Sequence, residues 1–247
     1  MTVAQLATGA AVVLLLAVAI AVDRVAALGQ GRSMITAGVR AVVQLAAVGV
    51  VVAVVFRTPV LVPVYLGVML GVASWTSGRR LGRGRREMGV AAVAITSGAA
   101  CTAVIVFATS ALSLSARTAV PFVAQLIGGA MTATTLAGQR FVDDVAAGWL
   151  EVEGWLAIGA TPAQAVADMG RRAAGRALVP AIDQTRSVGL VVLPGAYVGL
   201  LLGGASPLEA GRVQLLVLVG LLCAETVAVV VATHLLGPAL GAVRPAV

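Results

Sequence analysis

The chain has 247 residues, of which 60% are hydrophobic and 11% are charged, and 17 basic residues stand against 10 acidic ones. This composition is far from that of a soluble globular domain. The arginines lie between long apolar runs, which indicates a membrane protein and argues against a nucleic-acid-binding one. The chain contains no lysine, which excludes a lysine-bearing phosphate loop and Schiff-base chemistry.

Seven apolar runs are long enough, or nearly so, to cross a bilayer as helices, since each crossing needs about 20 residues. In chain order they are Val3–Val22, Ala41–Phe56, Val60–Thr76, Met88–Leu112, Val120–Gly138, Val188–Gly204 and Val213–Leu236. We therefore expect an all-α polytopic membrane protein with about seven transmembrane helices, which form a single transmembrane domain over residues 1–247.

The arginines are distributed unevenly between the loops of this topology. If the loop Arg79–Glu87 is cytoplasmic, fourteen arginines lie inside, and only Arg57, Arg117 and Arg212 lie outside. Cytoplasmic loops carry the excess of basic residues in membrane proteins. We therefore expect a multi-pass protein of the inner (plasma) membrane, with its N-terminus outside and its C-terminus in the cytoplasm.

The longest stretch between predicted spans, residues 139–187, is cytoplasmic in this topology and is predicted to hold a helix–turn–helix. Glu151–Ile158 is expected to form a short helix that Gly159 ends. Thr161 is expected to cap the next helix, with Pro162 at its first position and Gln164 completing a capping box.

The second of these helices has a face of small residues and one predicted ion pair. Asp168 and Arg172 have the i,i+4 spacing of such a pair. A helix at a lipid surface would carry large apolar side chains, so we expect the small face to serve close helix–helix or protein–protein packing. The residues of this face are Ala163, Val166, Ala167, Gly170, Ala173, Ala174 and Ala177.

Two sequence segments resemble a known class of transporter. Glu153, followed six residues later by Gly159-Ala160-Thr161-Pro162, resembles the coupling loop of ABC transporter permeases, which docks into a partner ATPase. Most of the chain is similar to the FetB-type ABC permeases, a family linked to iron export whose plant relatives are linked to aluminium tolerance. This similarity rests on the segments VRAVVQLAAVG, LAIGATPAQA and RALVPAIDQTRSVGLVVLPG.

The resemblance implies a homodimeric permease that exports a metal ion, such as iron, or a small solute. A separate ATPase subunit would supply the energy and bind the ATP, and this chain would bind no cofactor itself. The resemblance assigns ATPase coupling to Glu153, Gly159, Ala160, Thr161, Pro162 and Gln164. The family pattern G-M-x-x-G-N-x-M reads Ala124-Gln125-x-x-Gly128-Gly129-x-Met131 here, so the resemblance leaves the substrate open.

Polar or conformationally special residues inside the predicted spans are candidates for a substrate path. An acid within a span is costly and marks a functional site by default, and an amide or hydroxyl there needs a partner. Each candidate also has a structural explanation, because such groups join helices and a Pro-Gly pair permits close packing. The candidates are Gln44, Gln125, Gly128, Gly129, Met131, Thr132, Thr135, Pro194, Gly195 and Glu225.

The sequence carries no recognisable enzyme motif. HExxH, CxxC, GxSxG and the dinucleotide-binding fingerprint are all missing, so we expect no enzymatic activity from this chain by itself. The alternative to an ATPase-driven permease is a self-sufficient secondary transporter that uses Glu225 as its ion or proton carrier. Inverted repeats would support this alternative, and the sequence shows none.

Overall fold

The computed structural model describes residues 3–82 and 84–243, which are almost entirely helical and contain no extended β-strand. Arg83 and Arg244, which contribute to the predicted arginine asymmetry, lie outside the described residues. The helices are α1 (Val3–Val25), α2 (Gly31–Arg57), α3 (Val62–Leu81), α4 (Arg85–Ala108), α5 (Ala116–Ala147), α6 (Trp149–Ala157), α7 (Pro162–Ala165), α8 (Ala167–Ser187), α9 (Gly195–Leu202) and α10 (Pro207–Leu240).

The chain divides into two compact units, Met1–Pro59 and Val60–Val247. The first unit is a helical hairpin of α1 and α2. Its turn holds Gly29 at a φ of 72° and is fixed by the buried carboxylate of Asp23, which accepts a hydrogen bond of 2.8 Å from the backbone N–H of Gln30. Most other described side chains of this hairpin are exposed, and the large apolar ones form long runs along both helices, as expected for helices surrounded by lipid.

The second unit is a bundle in which α3, α5 and α10 run parallel to one another and α4 runs against them. The direction of α10 follows from its contacts along α5. Phe122 and Leu126 pack with Val217, Ala133 and Ala137 pack with Val229, and further along, Phe141 and Val145 pack with Ala232 and Leu236. The residue numbers of the contacting pairs increase together along α5 and α10, so these two helices run parallel.

The bundle packs tightly because small residues occupy its helix contacts. A Cβ atom at Gly78 of α3 would lie 2.6 Å from Met88 of α4, and one at Gly98 of α4 would overlap the carbonyl oxygen of Ala224. Without a hydrophobic drive between helices in lipid, such close backbone approach is a main source of helix association. The small residues therefore determine where these helices cross.

Six described helices are long and apolar enough to cross a membrane: α1 to α5 and α10. The prediction of a sixth continuous span at Val188–Gly204 is wrong. Gly189 has a φ of 79°, Pro194 precedes α9, and the eight residues of α9 extend about 12 Å, against a hydrocarbon core of about 30 Å.

The chain nevertheless returns along the bundle between α5 and α10, because these two helices are parallel. The return begins with α8, which runs against α5. Gly170 lies beside Phe141, Ala174 and Ala177 pack with Ala133 and Ala137, and Gln184 shares a cleft with Gln125. Val188–Pro194 and α9 complete the return, so this crossing is a broken one.

The small face predicted for the segment after Thr161 packs inside its own chain. Val166, Gly170, Ala173, Ala174 and Ala177 are buried against α5 and α10. This packing is the helix–helix alternative of the two that the small face predicts, and it takes place within the chain itself. The helix is also interrupted, because Val166 separates the single turn of α7 from α8.

Candidate substrate cleft and coupling turn

The central cleft lies between α5, α8 and α10 and has a volume of about 410 Å³. Five residues that the sequence nominated for a substrate path line it together, although they come from two different helices. They are Gln125, Gly128, Gly129, Thr132 and Glu225. The structure adds Pro180 and Gln184 of α8, two residues outside the predicted spans whose place in the cleft depends on how α8 packs on α5.

Glu225 lies near the middle of the 34-residue helix α10 and is partly buried at the cleft wall. Its position depends on Gly129 of α5, where a Cβ atom would lie 2.7 Å from the carboxylate Oε1 and 2.6 Å from Leu221. Any larger residue at position 129 would therefore displace the carboxyl group. At Gly128 a Cβ atom would meet nothing within 4 Å, so of this pair only Gly129 makes a close contact, and that contact is with the flexible ends of Leu221 and Glu225.

The remaining path candidates are not among the residues that line the central cleft. Met131 packs against the core formed by α3, α4, α5 and α10, and the buried hydroxyl of Thr135 lies 2.9 Å from that of Ser77 on α3. Gln44 is exposed on α2 in the first unit. For Met131 and Thr135 the structure thus favours the packing explanation over the path.

Pro194 and Gly195 do not kink a span, because Pro194 directly precedes α9 and Gly195 is its first residue. Pro194 lines a separate apolar cavity of about 420 Å³ together with Gln214 of α10. Gln214 is buried and its Oε1 has no hydrogen-bond partner within the described chain. The sequence analysis did not predict a role for Gln214, although an amide near the start of a long apolar helix is apparent in the sequence.

The turn Ile158–Gln164, to which the family resemblance assigns ATPase coupling and which is called the coupling turn below, has the local geometry that the sequence predicted. Gly159 has a φ of 93°, a conformation that disfavours side chains with a Cβ atom. Thr161 caps α7: its Oγ1 accepts a hydrogen bond of 3.3 Å from the backbone N–H of Gln164, and its own N–H donates to Gln164 Oε1 at 2.9 Å. The predicted capping box is confirmed.

The surface around the coupling turn is apolar and exposed. A hollow of about 430 Å³ is lined by Trp155, Ile158, Gly159, Ala160 and Gln164. Ile158 is 76% exposed and Leu150 is 85% exposed. Glu153 lies on α6 at the edge of this surface, where its Oε1 accepts a hydrogen bond of 2.8 Å from the indole N–H of Trp149.

Charged groups beside the turn stabilise the start of α8. Asp168 pairs with Arg171 at 2.8 Å and also with Arg172, which confirms the predicted i,i+4 pair. The hydrogen bond from Arg171 lowers the pKa of the Asp168 carboxyl below its usual value, and the charge of Arg172 acts in the same direction. An ionised acid in the first turn of a helix also suits its dipole.

In the described residues, no three His, Cys, Asp or Glu side chains cluster together. These are the side chains that most often hold a resident metal ion. The structure therefore defines two candidate sites: a polar cleft at the middle of the bundle and an exposed turn at one end. An apolar helical bundle with such a cleft is the architecture of a membrane transport protein.

Comparison with known proteins identifies the family. The chain belongs to the family described as "Uncharacterised protein family (UPF0014)", which matches residues 6–240. It is similar to the UPF0014 membrane protein STAR2 of rice, with 37% identity over 90% of this chain and 79% of that protein. It is also similar to the Probable iron export permease protein FetB of Escherichia coli, with 29% identity over 79% of this chain and 76% of that protein.

A third relative is the Protein ALUMINUM SENSITIVE 3 of Arabidopsis thaliana, which is 36% identical over 69% of this chain and 62% of that protein. No solved structure matches the chain. The similarity to the FetB family noted in the sequence is thus confirmed, and the chain is a membrane permease of this family.

Proposed function

We propose that this permease is the membrane subunit of an ABC exporter and is driven by a separate ATPase that docks on the coupling turn. The observation that carries the proposal is the turn itself. It is exposed, it is held rigid by the Thr161–Gln164 capping box, and it borders an apolar hollow that a partner protein can fill. A coupling element needs this combination, because force is transmitted only through a rigid and closely fitted contact.

The coupling turn is also joined mechanically to the helix that carries Glu225. A Cβ atom at Gly241, directly after α10, would overlap the backbone of Pro162, and one at Gly237 would lie 3.8 Å from Val166. A displacement of the turn therefore moves the end of α10. In this proposal α10 transmits the motion of the ATPase to the central cleft.

The proposed permease acts as a homodimer, which the outer face of α8 supports. Asp183 and Arg186 lie 3.9 Å apart on this face, with side chains that are 64% and 78% exposed. They belong to the same helical turns as Gln184, which reaches the level of Gln125 in α5. Charged groups at that depth avoid lipid, and a second copy of the chain would enclose them in a polar path.

The proposed cargo is a metal ion, iron included, or a small solute. Export of iron is named for the Escherichia coli relative, and the name of the Arabidopsis thaliana relative refers to aluminium sensitivity. In the proposed cycle the paired central clefts open in turn to each side of the membrane, while ATP is bound and hydrolysed on the partner subunit.

The partner contact is tested by placing a charge at Ala160, which lines the apolar hollow. Ala160→Glu is expected to weaken ATPase binding by about 30- to 1,000-fold, because a central interface residue contributes about 2–4 kcal/mol. The matched control is Ala205→Glu, since Ala205 is also a partly buried loop residue but precedes α10 at the opposite end. Co-purification of the tagged permease with its ATPase measures the effect, and wild-type recovery with Ala160→Glu would refute the docking site.

A secondary transporter remains the second candidate because Glu225 has no partner in its own protomer. Among the described residues its carboxyl group has neither an ion pair nor a hydrogen bond, so a proton or an ion can occupy it. Proteoliposomes separate the two functions. The exporter transports only with the ATPase and ATP present, whereas a secondary transporter responds to an imposed proton gradient without either.

A further inference from the structure

The central cleft contains one ionisable side chain, and its own chain does not neutralise it. Glu225 is the sole charged residue among those lining the cleft, and the ion pairs found in the described chain all involve other acids. An unpaired carboxylate at this depth is costly. A bound cation would supply the missing charge.

The shape of the cleft is adapted to this carboxylate. Gly129 faces Glu225 so closely that a methyl group in its place would lie 2.7 Å from Oε1, well inside the distance of an ordinary van der Waals contact. The absence of a side chain at position 129 therefore leaves room for the carboxyl group in its present position at the cleft. The cleft volume of about 410 Å³ also accommodates a hydrated cation, since six waters occupy about 180 Å³ in liquid.

The other polar groups of the cleft offer oxygen atoms. Gln125 of α5 and Gln184 of α8 are exposed residues that line it, and the amide oxygen of each can bind a cation. Thr132 donates its proton to the carbonyl oxygen of Gly128 at 3.1 Å, so its hydroxyl oxygen keeps a lone pair facing outward.

Soft ligands are positioned elsewhere in the described part of the second unit. Met131 packs into the core, and His234 lines a different pocket beside Phe141. Carboxylate, amide and hydroxyl oxygens select hard cations, whereas sulfur and imidazole select softer ones. The donor set of the cleft is therefore that of a hard metal cation.

We propose that Glu225, Gln125 and Gln184 form one binding site for a hard metal cation in the central cleft, and that Gly129 determines whether the carboxylate can reach it. This assignment deepens the proposed function, because the bound cation would be the cargo of the permease. Glu225 supplies the charge and one direct ligand. The amide oxygens share the coordination with water, which leaves the cation free to be released.

The test measures binding without the ATPase, so that it does not depend on coupling. The purified permease is titrated with Mn²⁺, and free Mn²⁺ is followed by electron paramagnetic resonance. We expect one site per chain. Loss of an outer-shell group costs metal sites about 10- to 100-fold in affinity, so Glu225→Gln, which removes a direct ligand, is expected to weaken binding by at least that much.

Matched variants separate the site from general effects on the fold. Gly129→Ala is expected to weaken Mn²⁺ binding, whereas Gly71→Ala on α3, where a Cβ atom meets nothing within 4 Å, is expected to bind as the wild type does. Glu209→Gln, at the exposed start of α10, controls for the loss of an acid. Equimolar Ag⁺, a soft cation, is expected not to displace Mn²⁺.

Wild-type protein that binds no Mn²⁺, or Glu225→Gln that binds it unchanged, would overturn the site. Unchanged binding by a monodisperse Gly129→Ala protein would overturn the role of Gly129, and displacement by Ag⁺ would overturn the oxygen-only donor set. If Gly129→Ala does not fold, the nearly isosteric Glu225→Gln still tests whether the cation site exists. Ala160→Glu is expected to bind Mn²⁺ normally, so failure of the cation site and failure of ATPase docking give different results.

Discussion

Gly241, the residue that directly follows α10, packs on the backbone of Pro162, the first residue of α7. A Cβ atom at position 241 would lie 2.6 Å from the carbonyl carbon of Pro162 and 3.0 Å from its Cα atom. Neither partner can yield easily, because both are backbone. This joint connects the coupling turn to the helix of Glu225 through a contact of fixed geometry.

Gly241→Ala is expected to uncouple ATP hydrolysis from transport. The added methyl group forces α7 away from α10, at a cost of about 1–3 kcal/mol for overpacking, while the central cleft is untouched. We expect transport per ATP hydrolysed to fall and Mn²⁺ binding to persist. Gly175→Ala on α8 serves as the control, since a Cβ atom there meets nothing within 4 Å. Normal transport by Gly241→Ala would show that the joint does not carry the motion.

Thr135→Val is expected to reduce stability without affecting the substrate path. The hydroxyls of Thr135 and Ser77 lie 2.9 Å apart in the buried contact of α5 with α3. Interhelical hydrogen bonds in membranes contribute about 0.6 kcal/mol on average and up to about 1.7 kcal/mol. Unfolding in mixed detergent measures the loss, and Mn²⁺ binding is expected to stay at the wild-type level. A Thr135→Val protein that is fully stable but defective in Mn²⁺ binding would show that Thr135 belongs to the substrate path.

Local features of the coupling turn were predictable because a few adjacent residues specify them. The capping box needs only Thr161 and Gln164 at the right spacing, and the end of α6 needs only Gly159. Both are present in the structure. No long-range contact has to be known to predict such a turn.

The broken crossing was not predictable from hydropathy, which counts apolar residues and not the continuity of a helix. Val188–Gly204 is apolar enough for a span, yet Gly189 and Pro194 divide it. The polar helix α8 appeared to belong outside the membrane, because its small residues reveal their role only when Ala133 and Ala137 are seen opposite Ala174 and Ala177. For the same reason the sequence identified Glu225 and Gln125 but missed Gln184.

The ion pairs at the start of α8 are expected to make stability depend on pH. Hydrogen bonding from Arg171 and the charge of Arg172 lower the pKa of Asp168 from its model-compound value of 3.8. A group with a lowered pKa in the folded state contributes stability above its unfolded pKa and loses it as the pH falls through the folded one. Asp168→Asn should thus be less stable than the wild type at pH 7, and the difference should shrink as the pH falls below about 4 and vanish below the lowered pKa of the folded state. A difference that is constant between pH 7 and pH 3 would contradict this linkage.

The last prediction concerns which ends of the second unit face the two sides of the membrane. Val90 and Ala94 of α4 pack near Ala232 and Leu236 of α10, so the start of α4 lies at the end of α10. Arg85, the first residue of α4, and Ser206, which caps the start of α10, therefore lie at opposite ends of the bundle. The broken crossing formed by α8, Val188–Pro194 and α9 makes this arrangement possible.

Single cysteines at these two positions test the arrangement in intact cells. The background variant replaces Cys101 and Cys223, the free cysteines of the described chain. A membrane-impermeant maleimide should label Ser206→Cys from outside and should label Arg85→Cys only after the cells are opened, because the arginine-rich loop is predicted to be cytoplasmic. Labelling in the reverse order would invert the predicted orientation but keep the crossing. Labelling of both positions from the same side would show that the chain does not return across the membrane between α5 and α10.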